Sequence, residues 1–228
     1  MIGLAQIERT TPPITELKED ERPLVIILDD DAALCEALHE LILSAGMEPA
    51  CFLSTRDLFD ADVLDRPGCL ILDVRMPGVS GLDLQRQLAA TGNPKPIIFL
   101  TGHGDIPMSV EAMKAGAVDF LTKPVREQTL LDAITAAIEA DSARRTKAEV
   151  VKRNVALLES LTAREREVFA ELARARLNKQ IAFDLGISEV TVKLHRSNVM
   201  RKMQAASIGD LIRAWETLPP HLREVRAP

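Results

Sequence analysis

The chain has 228 residues, 46% hydrophobic and 27% charged, with a net charge of −6 and three cysteines. At roughly 150 residues per domain this makes one large domain or two ordinary ones, and the balance excludes a disordered or fibrous chain. No apolar run approaches the roughly 20 residues that span a bilayer, and an odd cysteine count without a C-x-x-C pair argues against a disulfide framework or a zinc cluster. The N-terminus lacks a basic-then-apolar leader pattern. The expectation is a reduced, cytoplasmic protein with no membrane partner, in which Cys35, Cys51 and Cys69 act as small buried apolar groups.

Charge is unevenly spread. Residues 1–142 carry 11 Lys and Arg against 24 Asp and Glu, whereas residues 143–228 carry 17 against 10. The split suggests two domains, the basic one suited to a polyanion. Residues 1–22, with Pro12, Pro13 and a charged run from Glu16 to Arg22, read as a solvated tail. From Leu24 onward, short apolar runs at 24–28, 49–53, 69–72, 97–100 and 118–121 alternate with helical patterns at 32–45, 54–62, 81–91, 106–116 and 126–141. Runs that are apolar at consecutive positions suit strands covered on both faces. Five such units over 23–141 predict a doubly wound α/β domain with a five-stranded parallel sheet, order 2-1-3-4-5. Ser54 is a plausible N-cap, and Gly46 and Gly116 plausible helix stops. Residues 142–160 contain neither Gly nor Pro and read as a helical linker. Ala148, Val151, Val155 and Leu158 are spaced as a seam that could pair with a second copy. A small all-α domain follows over 161–216, then a tail over 217–228.

In sheets of this kind ligands bind beyond the carboxyl ends of the strands. Those ends carry Asp29-Asp30-Asp31, Asp73, Thr101 and, after the fifth strand, Lys123-Pro124. Converging carboxylates repel unless a cation lies between them, and hard oxygen donors with an open coordination sphere suit Mg²⁺. A lysine and a hydroxyl at the same edge supply the positive charge and the donor that a phosphoryl group needs. Taken singly, Asp29 and Asp31 also read as acids favoured at a helix N-terminus, Asp73 as a loop acid and Lys123 as a surface charge. His103 reads as a loop residue between glycines.

Four segments, Ile-Leu-Asp-Asp-Asp (27–31), Leu-Asp-Val-Arg-Met-Pro-Gly (72–78), Leu-Thr-Gly-His-Gly-Asp (100–105) and Asp-Phe-Leu-Thr-Lys-Pro (119–124), occur in this order. Together they resemble the CheY-like receiver of two-component response regulators, closest in wording to the FixJ type. The resemblance implies that Asp73 is the phosphoacceptor and that Asp30, Asp73 and the Arg75 backbone carbonyl bind Mg²⁺, with Asp29 acting through water. It further implies that Lys123 pairs with the phosphoryl oxygens before a cis peptide bond to Pro124. Thr101 and Phe120 are then the switch pair.

In the basic part, residues 178–185 read as a helix stopped by Gly186, and a second helix from Ser188 runs to about Met203. At helical spacing Val192, Val199, Met203 and His195 share a buried face. Val190, Lys193, Leu194, Ser197 and Arg201 lie opposite, where apolar side chains among basic ones suit thymine methyls. Leu161-Thr-Ala-Arg-Glu-Arg-Glu-Val168, Asn178-Lys-Gln-Ile-Ala182 and Thr191-Val-Lys-Leu-His-Arg-Ser-Asn198 resemble the LuxR/NarL-type DNA-binding domain. Where that family has a glycine, this chain has Arg174-Ala-Arg-Leu177, which adds two arginines within reach of phosphates.

The resemblances imply a DNA-binding response regulator rather than an enzyme, with no catalytic residues of its own. A sensor histidine kinase would phosphorylate it, and it would dimerise through Val110, Met113 and 118–121. It would then bind promoter DNA and act on RNA polymerase. Val190, Lys193, Leu194 and Ser197 would face bases, and Arg196, Arg201 and Lys202 phosphates. A Mg²⁺-dependent aspartyl-phosphate phosphatase and a phosphorelay scaffold that binds no DNA are the alternatives.

Overall fold

The computed structural model describes residues 22–102 and 104–223. The expectations for residues 1–21, His103 and 224–228 lie outside them. Contacts divide the chain at Ala143 and Arg144 into two compact units. Among the described residues no helix is long and apolar enough to cross a membrane.

The first unit alternates strand and helix: β1 (Leu24–Leu28), α1 (Ala32–Ser44), β2 (Glu48–Phe52), α2 (Thr55–Asp60), β3 (Gly68–Leu72), α3 (Gly81–Ala90), β4 (Ile97–Thr101), α4 (Ile106–Lys114) and β5 (Asp119–Thr122). The strands are parallel in the order β2-β1-β3-β4-β5, as the alternation predicts. Alternate side chains of the central strands feed two cores. Leu24, Ile26, Leu28, Leu70, Leu72, Ile97 and Phe99 pack with Leu58, Leu84 and Ala112 on one face. Val25, Ile27, Cys69, Ile71, Ile98 and Leu100 pack with Leu38, Ile42, Leu130 and Ile134 on the other. Burial on both faces is why these strands read as unbroken apolar runs. The edge strands differ from expectation by one residue each. β2 starts at Glu48, whose carboxylate takes two hydrogen bonds of 2.8 Å from the Arg66 guanidinium, and β5 starts at Asp119 and ends at Thr122. Edge strands, half-buried here, tolerate such polar ends.

Side chains start the helices where the sequence invites it. Ser54 accepts from Asp57 N at 3.2 Å to cap α2, and Asp31 accepts from Ala33 N and Leu34 N at 3.0 and 3.2 Å to cap α1. The pattern at 126–141 and the linker at 142–160 form one helix, α5 (Glu127–Glu159), because nothing between them stops a helix. The expected seam is not intact. Leu158 is buried in the core of the second unit and Val155 packs against it, which leaves Ala148 and Val151 from the set.

The second unit continues with α6 (Ala163–Ala173), α7 (Asn178–Leu185), α8 (Glu189–Lys202), α9 (Ile208–Thr217) and the short α10 (Pro220–Arg223). Its core joins Leu161, Val168, Phe169, Leu172, Ile181, Val192, Val199, Met203 and Leu211. Trp215 lies edge-on to Phe169 with ring centroids 5.1 Å apart. Between α7 and α8, Gly186 takes φ 64°, a left-handed turn that costs other residues strain. Ser188 then caps α8 through Thr191 N at 3.1 Å. Thus the turn joining the two helices is set by one glycine and one serine.

Candidate functional site

The carboxyl ends of β1 and β3 and the residue after β5 meet at one edge of the sheet. Asp29 and Asp73, each the first residue past its strand, are buried at 3% and 8% exposure, while Asp30 is exposed. Carboxylate oxygens from the three lie within 4.8 Å of one another. Lys123 reaches between them, its Nζ 2.5 Å from Asp29 Oδ2 and 3.0 Å from Asp73 Oδ2. Its backbone N–H donates to the Thr101 carbonyl at 2.9 Å, and its bond to Pro124 is cis.

Backbone donors orient the two buried acids. The Arg75 N–H donates to Asp73 Oδ1 at 3.1 Å, and the Asp31 N–H to Asp29 Oδ1 at 3.1 Å. Helix α3 begins so close to β3 that a Cβ on Gly81 would stand 2.2 Å from the Asp73 carbonyl oxygen, so only glycine fits. Burial pushes the Asp29 carboxyl above its usual range, against the pull of Lys123 and the Asp31 N–H. Burial works to lower Lys123, but the hydrogen bonds and charges of Asp29 and Asp73 together hold its ammonium above the ordinary value. Three hard oxygen donors with one side open to solvent fit Mg²⁺. Asp31, by contrast, is spent on capping α1.

Thr101 and Phe120, the residues expected to act as a switch pair, sit on the neighbouring strands. Thr101 is buried at 1%. Phe120 is half-buried, its ring centroid 5.9 Å from that of the fully buried Phe99. The β4–α4 connection presses on it, since a Cβ on Gly104 would lie 2.8 Å from Phe120 Cε1 and 3.0 Å from Thr122 Cγ2.

In the second unit α8 turns two faces. Val192 and Val199 are fully buried and Met203 is 4% exposed, while Val190 and Leu194 stand out at 76% and 61%. Lys193, Ser197 and Arg201 are exposed beside them. His195 is half-buried, its Nδ1 covered and without a hydrogen-bond partner among the described residues, in keeping with a packed histidine. Arg196 is half-buried and donates to Asn178 Oδ1 at 3.4 Å, linking α8 to α7.

Lys202 requires a correction. Its Nζ lies 2.6 Å from Glu165 Oε2 and 3.1 Å from the Ser160 carbonyl, so the ammonium expected at a phosphate is committed to the protein. Glu165 is buried and also closes a capping box with Thr162, and the Lys202 amine beside it lowers its carboxyl to about 2. The two arginines read as phosphate ligands are likewise engaged. Arg174 pairs with Glu171 at 2.5 Å, and Arg176 with Asp184. Where the family's glycine is missing, Ala175 itself takes a left-handed turn at φ 58°. Glu165 was missed from sequence, although Thr162-x-x-Glu165 is a readable capping-box signal.

A 2-1-3-4-5 parallel sheet with acids and a lysine gathered at its carboxyl edge, followed in the same chain by a helix-turn-helix, defines a transcriptional response regulator. The chain belongs to this family: the response regulator receiver domain matches residues 25–135, and the luxR family of bacterial regulatory proteins matches residues 159–215. It is 52% identical over 204 residues to response regulator protein TodT of Pseudomonas putida, covering 89% of each chain. It is 48% identical over 197 residues to nodulation protein W of Bradyrhizobium diazoefficiens, covering 86% of this chain and 87% of that one. The solved structure of response regulator StyR superposes with a TM-score of 0.76 at 46% identity, over 86% of this chain and 98% of that one.

Proposed function

We propose that this response regulator is switched by phosphorylation of Asp73, and that the switch sets its binding to promoter DNA. The observation that carries the reading is Lys123 shared between the buried carboxylates Asp29 and Asp73, with Asp30 beside them. Asp30, Asp73 and the Arg75 carbonyl would hold Mg²⁺, with Asp29 acting through water. The bound ion supplies charge neutralisation for the incoming phosphoryl group. The chain's own residues do the rest. The Arg75 N–H fixes one oxygen of Asp73, and the carboxylate attacks the phosphorus of a phosphohistidine donor. The phosphorus–nitrogen bond breaks and the electron pair leaves on the imidazole. Lys123 shifts its hydrogen bonding to the phosphoryl oxygens, and Thr101 donates its hydroxyl to one of them.

A sensor histidine kinase is the donor. A cavity of about 510 Å³ opens beside Lys123 between α1 and α5, with Leu34, Leu38, Val125 and Leu130 in its wall, an apolar seat for such a partner. Movement of Thr101 and Phe120 then reshapes the α4 and β5 face. On α4, Ile106, Val110 and Met113 are exposed at 79%, 44% and 45%, the apolar surface of a dimer. Residues 23–141 act as the receiver, 142–160 as the linker and 161–216 as the output domain. In the output domain Val190, Lys193, Leu194 and Ser197 face bases, while Arg196 and Arg201 approach phosphates. RNA polymerase is the downstream partner. The protein acts as a regulator without substrate turnover.

The test is chemical. With Mg²⁺ and acetyl phosphate, intact-mass analysis is expected to show one acid-stable, base-labile phosphoryl group on Asp73. Asp73→Asn is expected to abolish it, and robust labelling of that variant at another single site overturns the assignment.

A further inference from the structure

Two of the three thiols and one histidine take no part in this chemistry, yet the fold gathers them behind the acidic site. Cys35 and His39 lie four residues apart, one turn along a single face of α1, and Cys51 stands on β2. The Cys51 sulfur lies 3.4 Å from the Cys35 carbonyl oxygen and 3.9 Å from His39 Nδ1. The Cys51 thiol is thus held directly against residue 35 of the facing helix. Cys51 and His39 are half-buried while Cys35 is buried, so a reagent from solvent meets Cys51 first. The Cys35 sulfur also donates to the Asp29 carbonyl at 3.5 Å, which ties the pair to the first acid of the site. Cys69 is fully buried and burial pushes its thiol up to about 12, which makes it an inert internal control.

We propose that Cys35 and Cys51 are a redox-active pair that a low-molecular-weight disulfide of the oxidised-glutathione class closes into a crosslink between α1 and β2, and that closure slows phosphoryl transfer to Asp73. In the first step the Cys51 sulfur attacks one glutathione sulfur, and the glutathione disulfide bond breaks. His39 takes the Cys51 proton and passes it to the departing glutathione thiolate. In the second step the Cys35 sulfur attacks the Cys51 sulfur of the mixed disulfide. The second glutathione leaves as a thiolate and collects the Cys35 proton. Two protein thiols have been oxidised and one glutathione disulfide reduced to two thiols. The Cys51 sulfur already lies 3.4 Å from the Cys35 backbone, so the second step is intramolecular and fast relative to capture of another reagent. His39, its Nδ1 3.9 Å from the Cys51 sulfur, is the base placed to assist the first attack.

Closure has a direct route to the site. It removes the Cys35 hydrogen bond from the Asp29 carbonyl and draws on α1, whose capping residue Asp31 follows Asp29 and Asp30 in the chain. This half of the inference rests on the phosphoacceptor reading; the crosslink itself does not.

The full-length protein is treated with oxidised glutathione, blocked with N-ethylmaleimide under denaturing conditions and analysed by peptide mass spectrometry. A Cys35–Cys51 linked peptide is expected, with Cys69 recovered as the maleimide adduct. Cys69→Ser is expected to form the same link, Cys51→Ser none, and His39→Gln the same end point several-fold more slowly. No link, a link to Cys69, or a glutathione adduct that persists on Cys51 overturns the pair. Acetyl phosphate labelling of the crosslinked protein is expected to be several-fold slower than that of the reduced protein, and to recover with dithiothreitol. Equal rates overturn the coupling. If the reduced protein itself fails to label, the Asp73 reading falls while the crosslink still stands or fails on its own peptide.

Discussion

Replacing Lys202 by methionine separates a structural lysine from a DNA-binding one. The change keeps most of the apolar stem and deletes the ammonium that sits 2.6 Å from Glu165. Glu165 falls from 4.5 to about 2, with the Lys202 hydrogen bond the largest cause. At 1.36 kcal/mol per unit the whole drop is worth about 3 kcal/mol, part of it from the Thr162 hydrogen bonds that the change leaves in place. The Lys202 side chain keeps 24% of its exposure, so solvent screening brings the figure to about 2 kcal/mol. The assay is urea unfolding of the full chain followed by fluorescence. Trp215 is the only tryptophan, and it packs on Phe169 in the output core, so its signal reports that unit alone. With a urea slope of about 1 kcal/mol/M, Lys202→Met is expected to lower the midpoint by about 2 M at pH 7. Because the folded pKa of Glu165 is depressed, this stability is present above pH 4.5 and drains away as pH falls toward 2. The gap between wild type and variant is therefore expected to close over that window. Salt dependence of DNA binding is expected to be unchanged, whereas a lost phosphate contact flattens the slope by about one unit. A flattened slope with an unchanged midpoint refutes the structural role.

Other perturbations give distinct signatures. Lys193→Ala is expected to cost about 1–3 kcal/mol on the true site and relax preference at one base pair in a substituted-site binding series; equal loss on random DNA places it on the backbone instead. Ala175→Gly relieves a left-handed alanine and is expected to raise output-domain stability by about 1 kcal/mol in the Trp215 assay. Gly104→Ala puts a methyl group against Phe120 and Thr122, and is expected to leave acetyl phosphate labelling intact while costing about 1–3 kcal/mol of receiver stability by circular dichroism. Asp30→Ala is expected to weaken the Mg²⁺ dependence of labelling without lowering thermal stability, because Asp30 is exposed.

What could be read from the sequence tracks how local the signal is. β1, β3 and β4 are legible because both faces are covered and every position is apolar. β2 and β5 slide by one residue because an edge strand starts on a polar side chain when a neighbour, such as Arg66 for Glu48, satisfies it. The joining of α5 across residue 141 is invisible to a search that places a boundary where composition changes, since charge can change along a helix that nothing interrupts. Long-range pairs are beyond such reading altogether. Glu165 and Lys202 stand 37 residues apart, and Cys35 and Cys51 16 apart, with no periodicity linking either pair. The acidic site was legible for a different reason: the rule that ligands meet the carboxyl ends of parallel strands turns sequence order into spatial proximity.

On the function proposed above, the same proximity lets a small chemical change serve as a switch. At rest one ammonium is shared by two buried carboxylates, with 2.5 and 3.0 Å contacts. Phosphorylation of Asp73, as proposed, would put a group of about −1.5 to −2 charge in place of one carboxylate, beside that same ammonium. Lys123 must then divide itself differently, and its backbone N–H is bonded to Thr101, on the strand that carries Phe99. Phe99 touches Phe120, and Phe120 meets Gly104 at the entrance to α4. Each link is a packed contact or a hydrogen bond. On that reading a shift of charge at Asp73 reaches the exposed apolar face of α4 through these contacts, and Gly104→Ala, which crowds Phe120, is expected to disturb their last step.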